Sequence, residues 1–259
     1  MSIDINFPNG VALVVGGSGG VGSVVVSKFV KNRSKVVMTY FQNKSEAEKL
    51  CNELNKDGEV CFPYQLDIKD KGATLELINT VSRKFSRIHT VVNAAGFDIP
   101  QKMIRDIDVE TWQRVMDSDV NGFFNLVSSS LNELRKEGGS YVFISSAGLL
   151  RYPPGDVLSV APKAAIESLI KGIAKEEGVN NIRANSIALG IIETGIFIRL
   201  KNEKDSFFDK EWENSVHQSL AIKRFGKPEE VADLAVFLAS QEANYITGQL
   251  IAVDGGYSI

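Results

Sequence analysis

Short apolar runs rich in valine and isoleucine recur along the 259-residue chain and alternate with longer segments of helical periodicity. Such runs, bounded by turn residues, predict buried strands of a parallel sheet, and the amphipathic segments between them predict helices on both of its faces. The predicted strands are Val11–Val15, Lys35–Tyr40, Val60–Tyr64, Ile88–Asn93, Ser140–Ser145, Ile182–Ile187 and Leu250–Val253. The pattern therefore predicts an α/β fold with a doubly wound parallel sheet of seven strands.

One proline limits the order of these strands. Pro63 lies in the third run, and proline removes a hydrogen-bond donor from the sheet, so this strand is predicted at an edge. The strand order 3-2-1-4-5-6 places it there. One domain of this kind accommodates residues 1–259, and the irregular stretch of about residues 195–220 is predicted to be a variable substrate lid.

Composition and charge narrow the classes of partner. The net charge is −3 and the chain has no basic cluster, which argues against nucleic-acid binding. No run approaches the roughly 18 apolar residues of a membrane span, and residues 1–10 do not resemble a signal peptide, so a cytoplasmic protein is expected. Cys51 and Cys61 match no metal-ligand pattern and are expected to be reduced thiols. Small molecules are the expected partners.

A glycine-rich turn follows the first predicted strand and precedes the first predicted helix. It runs from Gly16 through Gly22 in the order Gly-Gly-Ser-Gly-Gly-Val-Gly. Glycines let the backbone approach a pyrophosphate, which then rests on the amides and the positive dipole of the helix N-terminus. In this position the turn predicts a Rossmann-type dinucleotide site.

The glycine spacing resembles that of the short-chain dehydrogenase/reductase family, in which Val15 is usually threonine. Four other stretches resemble the same family: Asn93 through Gly96, Asn185 through Thr194, Arg224 through Val231, and Tyr245 through Gly256. The resemblance implies that Asp67 and Ile68 hold the adenine, and that Ile192 and Thr194 hold the nicotinamide carboxamide. The complete set of predicted cofactor contacts is Gly16, Ser18, Gly19, Gly20, Val21, Gly22, Tyr40, Asp67, Ile68, Asn93, Ala94, Lys163, Gly190, Ile192 and Thr194.

The end of the second strand bears on which nicotinamide dinucleotide binds. An acidic residue there would bond the ribose 2′-hydroxyl and repel a 2′-phosphate. The position falls at Tyr40, and Lys44 follows shortly after it. NADP(H) is therefore favoured, with NAD(H) as the alternative.

The family's carbonyl reductases use an Asn, a Ser, a Tyr and a Lys, the last two four residues apart. The resemblance assigns Asn121, Ser146 and Lys163 to three of these positions, but Ser159 stands where the tyrosine is expected. A phenol has a pKa near 10 and can act as a general acid, whereas an aliphatic hydroxyl is a far weaker acid that still donates hydrogen bonds. The four predicted catalytic residues are Asn121, Ser146, Ser159 and Lys163.

Several functions remain open at this point. The resemblance implies an NAD(P)(H)-dependent oxidoreductase that transfers a hydride to a carbonyl or to a conjugated enoyl group of an acyl thioester-like substrate. The 2,4-dienoyl-CoA reductases of the family include a branch with a Ser-x-x-x-Lys segment, although that branch's loop tyrosine would fall at Gly148, with Tyr152 as the nearby substitute. The alternatives are a non-catalytic dinucleotide-binding or scaffold homologue and an engineered Tyr-to-Ser inactive variant of a 3-oxoacyl reductase.

The remaining residues suggest assembly and a lid. In this family the helix after strand four and the helix carrying Lys163 usually pair between subunits, so the resemblance implies a homo-oligomer, a dimer or a tetramer. The segment after Thr194 is unusually apolar, which favours either a lid over an acyl substrate or a helical pair that caps the core. Its apolar side chains are Phe197, Leu200, Phe207, Phe208 and Trp212. His89 and His217 are given no role.

Overall fold

The computed structural model describes residues 5–96, 99–202 and 209–259. Within these ranges, seven strands form one parallel sheet in the order β3-β2-β1-β4-β5-β6-β7. The strands are β1 Val11–Val15, β2 Lys35–Tyr40, β3 Cys61–Gln65, β4 Ile88–Asn93, β5 Gly139–Ser146, β6 Ile182–Leu189 and β7 Leu250–Val253. The helices are α1 Gly20–Lys31, α2 Lys44–Leu54, α3 Lys71–Phe85, α4 Val109–Met116, α5 Gly122–Arg135, α6 Val157–Glu176, α7 Gly195–Lys201, α8 Lys210–Ser219 and α9 Pro228–Ala239.

The predicted fold class and strand order are confirmed. β3 lies at an edge of the sheet, where Pro63 is in register with Met38 of β2. An edge strand tolerates proline because its second side forms no ladder. β5 and β6 run one and two residues further than the sequence predicted, to Ser146 and Leu189, which are paired with each other.

Apolar side chains cover both faces of the sheet, as continuous Val/Ile-rich strands require. On one face, Leu13 and Phe143 belong to a core cluster that also contains Phe123 of α5 and Ile170 of α6. On the other face, strand residues pack with side chains of α1, α2 and α9 in a second cluster. The sheet is therefore buried between two helical layers, and the ends of its strands remain available for a site.

The expectation of two reduced thiols was wrong, since Cys51 of α2 and Cys61 of β3 form a disulfide. Asn55, which follows α2, holds the connection: its Oδ1 accepts from the Cys61 amide at 2.8 Å, and its Nδ2 donates to the Cys61 carbonyl at 2.8 Å. This clamp turns the chain back on itself and brings the two Cα atoms to 5.1 Å. Sequence spacing does not reveal such a pairing, because it depends on how α2 packs on β3.

Two helices occupy the predicted lid segment, α7 and α8. Phe197, Trp212 and Phe225 form an aromatic cluster, with ring centroids 5.1 Å apart between Phe197 and Phe225 and 6.1 Å apart between Phe197 and Trp212. Phe207, Phe208 and the side chain of Leu200 lie outside the described residues. The cluster joins both helices to the segment that precedes α9.

Among the described helices, none combines the length and the hydropathy that crossing a membrane requires. His89 is buried on β4, where its Nε2 lies 3.1 Å from Ser34 Oγ and its Nδ1 lies 3.0 Å from Thr90 Oγ1. Burial, and secondarily the Arg87 charge, lower the pKa of His89 to about 3. This histidine is therefore a neutral core residue.

Candidate active site

All strands of the sheet are parallel, so their carboxyl ends meet at one edge, and in such folds ligands bind there, where the strand order reverses. Here the order reverses between β1 and β4. β1 ends at Val15 and β4 ends at Asn93, which are in register. The glycine turn follows β1 directly, and Ala94 and Ala95 follow β4. The glycine turn and the segment from Asn93 to Ala95 thus come together from distant parts of the chain.

The glycine turn is closely packed against this edge. Gly16 has a φ of +76°, and a Cβ there would lie 2.6 Å from the Ala95 amide nitrogen. A Cβ at Gly22 would collide with the Gly16 carbonyl oxygen. The turn is also bonded to the neighbouring strand β2, because the Gly17 amide donates to the Thr39 carbonyl at 2.9 Å. Only glycine permits this approach of the backbone.

The turn leaves hydrogen-bond donors at the start of α1. The first turn of a helix has amides without intrahelical acceptors, and they carry the positive end of the helix dipole. In α1 that turn begins at Gly20, and Gly19 as N-cap provides no side-chain hydrogen bond. The closely approached glycines and the amide donors together fit a pyrophosphate group.

The loop after β6 borders this crevice. The Gly190 amide donates to the Val253 carbonyl at 3.0 Å, and Ile192 bridges to Gly226. These bonds fix the loop so that Thr194 lies against Gly20, where a Cβ would meet the threonine side chain. Thr194 therefore stands beside the same helix N-terminus that would hold the pyrophosphate.

Other predicted cofactor residues lie on the side of β3 and β4. Asn93 is buried, and its Oδ1 accepts from the Ala95 amide at 3.2 Å. The carbonyls of Ile68 and Lys69 each accept from the Asn125 side chain at 3.1 Å. This contact with α5 fixes the segment that contains Asp67 and Ile68, to which the resemblance assigned the adenine.

The side chain of Tyr40, which was predicted to contact the cofactor, is buried in the core instead of lying at the open edge of the sheet. It is only 8% exposed and belongs to the core, whereas Phe41 is 52% exposed and is the first side chain beyond β2. The exposed Lys44 begins α2, with its Nζ 3.6 Å from Glu48. Position 40 therefore has no acidic side chain that would repel a 2′-phosphate. Lys44 is the charged residue that follows the end of β2.

Lys163 and Ser159 meet on α6. Their spacing of four residues puts both on one face of a helix, and Lys163 Nζ donates to Ser159 Oγ at 3.2 Å. Both side chains are half-buried. The structure thus joins two of the four predicted catalytic residues directly.

Ser146, at the end of β5, lies beside the beginning of α6. Its Oγ accepts from the Gly148 amide at 3.0 Å. A Cβ at Gly148 would lie 2.7 Å from a methyl group of Val160, so the loop after β5 packs on the turn of α6 that carries Ser159. Tyr152, further along the same loop, is half exposed.

Asn121 has a different environment from the other three. It ends a π-helical turn, Asp117–Asn121, between α4 and α5, and it is exposed. Its Nδ2 donates to Asp117 Oδ1 at 2.8 Å, one turn earlier. The structure gives Asn121 a partner on its own helix rather than in the Ser159–Lys163 pair, and its catalytic role stays a prediction.

Sequence reasoning missed one acidic group beside this pair. Asp156 is the N-cap residue of α6, and its Oδ1 accepts from Gln101 Nε2 at 3.1 Å. Burial raises the pKa of the Asp156 carboxyl, and the smaller influences of Gln101, Lys163 and Ser159 lower it. The available signal was the spacing of Asp156, three residues before Ser159 and seven before Lys163, which is the repeat of one helix face.

Comparison with known proteins identifies the family. Residues 15–258 match the family model described as enoyl-(acyl carrier protein) reductase. The chain is 32% identical to the 3-oxoacyl-(acyl-carrier-protein) reductase FabG of Thermotoga maritima, over 96% of this chain and 98% of the relative. It is 30% identical to glucose 1-dehydrogenase 2 of Bacillus subtilis, over 96% of this chain and 94% of that relative. A solved short-chain dehydrogenase/reductase from Mycobacterium ulcerans superimposes with a TM-score of 0.90 at 28% identity, covering 98% of this chain and 91% of that chain.

The fold and the site define a dinucleotide-dependent oxidoreductase of the Rossmann type. The chain belongs to the short-chain dehydrogenase/reductase family and is an NAD(P)-dependent enzyme.

Proposed function

We propose that this enzyme uses NADP(H) to reduce the carbonyl group of an acyl thioester-like substrate. The observation that carries the proposal is the hydrogen bond from Lys163 to Ser159 on α6, the helix that packs against β5 and β6. It supports a site in which an ammonium group and a hydroxyl donor would together face the oxygen of a bound substrate. The relatives named as 3-oxoacyl reductases support a substrate of this class.

The residues at the sheet edge fit the cofactor. The glycine turn would hold the pyrophosphate, the segment of Asp67 and Ile68 the adenine, and the loop from Gly190 to Thr194 the nicotinamide end. When bound, the reduced nicotinamide supplies a hydride to the substrate. Lys44, exposed near the end of β2, would attract the 2′-phosphate that distinguishes NADP from NAD.

The site residues would stabilise negative charge on the substrate oxygen. Ser146 and Ser159 would donate hydrogen bonds to it, as in an oxyanion hole, and the Lys163 ammonium would add a favourable charge. Lys163 would also hold the nicotinamide ribose. Asn121 is a further candidate, and its amide donates to Asp117.

The aromatic cluster of α7 and α8 supports an apolar or acyl substrate. Phe197 and Trp212 are half-buried and Phe225 is buried, so the two helices place aromatic rings around Phe225. We propose that residues 195–220 form the substrate lid of a single domain that spans residues 1–259.

Reduction of a conjugated enoyl thioester is the second candidate. The replacement of the usual tyrosine by Ser159 favours it, because an enolate oxygen can be stabilised by hydrogen bonds without full proton transfer. The family model that matches the chain carries the description of an enoyl reductase. Tyr152 does not strengthen this alternative, since its side chain is half exposed.

The experiment that separates these functions follows NADPH oxidation with acetoacetyl-CoA and, separately, with a 2,4-dienoyl-CoA. Turnover of the first alone supports the carbonyl reductase, and turnover of the second alone supports the enoyl reductase. Binding of NADPH without turnover of either, in a protein whose Ser159→Tyr variant reduces acetoacetyl-CoA, contradicts both. That outcome would indicate an inactive homologue or an inactivated variant with an intact scaffold.

Assembly and compartment are part of the same proposal. Trp112 of α4 and Phe124 of α5 expose 36% and 56% of their surface, which supports a homo-oligomer formed through these helices. Sedimentation of the wild type against a Phe124→Glu variant tests it, and a monomeric wild type would contradict it.

The proposed compartment is the cytoplasm, where disulfides are rare. Alkylation of free thiols in freshly lysed cells tests this assignment, because Cys51 and Cys61 should then be found reduced. A pair that is oxidised in the cells would contradict it.

A further inference from the structure

The first turns of α6 gather three polar side chains that can exchange a proton. Asp156 occupies the N-cap position of the helix, Ser159 lies three residues later and Lys163 a further four, so all three project from one side of the helix. Lys163 Nζ occupies one side of the Ser159 hydroxyl as a donor at 3.2 Å. The Ser159 proton therefore remains available for a carboxylate or a substrate oxygen.

The Asp156 side chain is not used as a helix cap. It makes no hydrogen bond to the amides of the first helical turn, although the Asp156 carbonyl accepts from the Ser159 and Val160 amides. Instead, Gln101 Nε2 donates to its Oδ1 at 3.1 Å. The Gln101 segment is held in place because the Lys102 amide donates to the Gly155 carbonyl at 3.2 Å.

The surroundings of Asp156 act on its pKa in opposite directions. Burial raises its pKa, while Gln101, Lys163 and the Ser159 hydroxyl lower it. Lys163, on the same helix, is the charged group that lowers the pKa of Asp156, and Lys102 on the neighbouring segment acts on Asp108. The carboxyl thus lies about one helical turn before Ser159 and within the electrostatic influence of Lys163.

We propose that Asp156, acting through the Ser159 hydroxyl, is the group that exchanges the reaction's proton in place of the missing phenol. This inference rests on the proposed carbonyl reduction. Asp156 would not contact the substrate, so it is a proton-relay residue that works through Ser159.

The proton balance follows from the chemistry of the reduction. When the carbonyl carbon accepts a hydride from the dihydronicotinamide, its π bond breaks and the oxygen is left as an alkoxide. Ser159 gives its proton to that oxygen and takes one from the Asp156 carboxyl, which becomes a carboxylate beside the Lys163 ammonium. Asp156 is half-buried, and water returns a proton to it before the next turnover. Oxidation of the alcohol runs the same steps in reverse.

The first test measures single-turnover NADPH oxidation with acetoacetyl-CoA for the wild type, Asp156→Asn, Ser159→Tyr and the double variant. Asp156→Asn is expected to slow the reaction by about 10²- to 10⁴-fold, the usual contribution of a general acid. It is also expected to remove the ionisation of the donor from the pH profile. In the Ser159→Tyr background the same change is expected to leave the rate unaltered, because a phenol then supplies the proton.

The matched control is Asp108→Asn. Asp108 is the N-cap of α4, and its side chain accepts from the Thr111 amide. Asparagine caps a helix as well as aspartate does, so this variant removes one carboxylate without touching the Ser159–Lys163 pair. Its rate and pH profile are expected to match the wild type. An Asp156→Asn variant that keeps the wild-type rate, or that loses rate equally in the Ser159→Tyr background, would overturn the relay while leaving the reductase proposal intact.

A second test needs no cofactor or turnover. In protein labelled with ¹³C at the aspartate carboxyls, the resonance that Asp156→Asn removes is expected to titrate above ordinary aspartates. Its pKa should rise further in Lys163→Met, because the neighbouring ammonium is lost. An Asp156 resonance whose pKa is the same in the wild type and in Lys163→Met would refute the interaction between the two side chains. If the wild type failed to oxidise NADPH with any tested substrate, the proposed function would fail. This titration would still decide whether Asp156 and Lys163 interact.

Discussion

Lys163 Nζ donates a hydrogen bond to Ser159 Oγ at 3.2 Å across one turn of α6. In a family member this is the place of the Tyr–Lys pair, so the lysine here contacts an aliphatic hydroxyl that it cannot convert into a practical acid. We propose that the lysine keeps an electrostatic role here and that Asp156 supplies the proton through Ser159.

Replacing Lys163 with methionine is expected to lower the rate of NADPH-dependent reduction by at least about 10²-fold, as loss of a catalytic general acid–base or charge partner typically does. NADPH affinity should fall as well, because the lysine is proposed to hold the ribose. Steady-state kinetics and calorimetry measure the two effects. The control is Lys175→Met, an exposed lysine later on the same helix; equal behaviour of the two variants would remove Lys163 from the site.

Substituting Gly22 with alanine is expected to weaken NADPH binding by about 10-fold or more, equivalent to about 1.4 kcal/mol. The added Cβ would collide with the Gly16 carbonyl and force the turn open. Gly172→Ala in α6 is the matched control, because a Cβ there meets nothing within 4 Å, and it should stabilise the protein by about 1 kcal/mol. Unchanged affinity in Gly22→Ala would show that the turn does not hold the cofactor.

Changing Lys44 to glutamine is expected to reduce NADPH affinity by about 5-fold and to leave NADH affinity unchanged, in line with an exposed charge pair worth up to about 1 kcal/mol. The 2′-phosphate would lose its nearest proposed cation beyond β2. Fluorescence titration with both dinucleotides measures the difference, with Lys49→Gln on the same helix as control. A parallel loss for NADH and NADPH would argue against recognition of the phosphate.

Acid is expected to destabilise the fold through His89. Its pKa is lowered to about 3 in the folded state, so the unfolded chain binds the proton first, and stability is lost as pH falls through the unfolded value near 6.5. Between about pH 7 and about pH 4 this group alone should cost on the order of 3 kcal/mol. Urea unfolding of the wild type and His89→Gln measures it; a variant with the same pH dependence as the wild type would contradict the assignment.

Reducing the Cys51–Cys61 disulfide is expected to lower the free energy of unfolding by about 2–3 kcal/mol, since the bridge closes a short loop of the unfolded chain. The two cysteines are 10 positions apart and both are buried. Urea unfolding after reduction under denaturing conditions measures the effect. The Cys51→Ser/Cys61→Ser double variant is the control and should show no response to reductant. Equal urea midpoints for the oxidised and the reduced wild type would contradict the prediction.

Much of the scaffold could be predicted from the sequence because its signals are local. Strand periodicity, the proline at position 63 and the glycine turn each report on backbone geometry within a few residues, and the sheet order follows from them. The Ser159–Lys163 pair was likewise predictable, since helical spacing alone brings two side chains four residues apart into contact.

Tertiary structure decided what depends on distant segments. The disulfide requires α2 to pack on β3, and Thr194 reaches Gly20 only because the β6 loop is bonded to Val253 and Gly226. Asp156 differs from an ordinary N-cap because Gln101, 55 positions earlier, donates to its side chain. The sequence by itself determined the fold class and the residue types at the sheet edge. Which of those groups contact each other was decided by packing, because burial and through-space distance are not encoded in any one stretch of the chain.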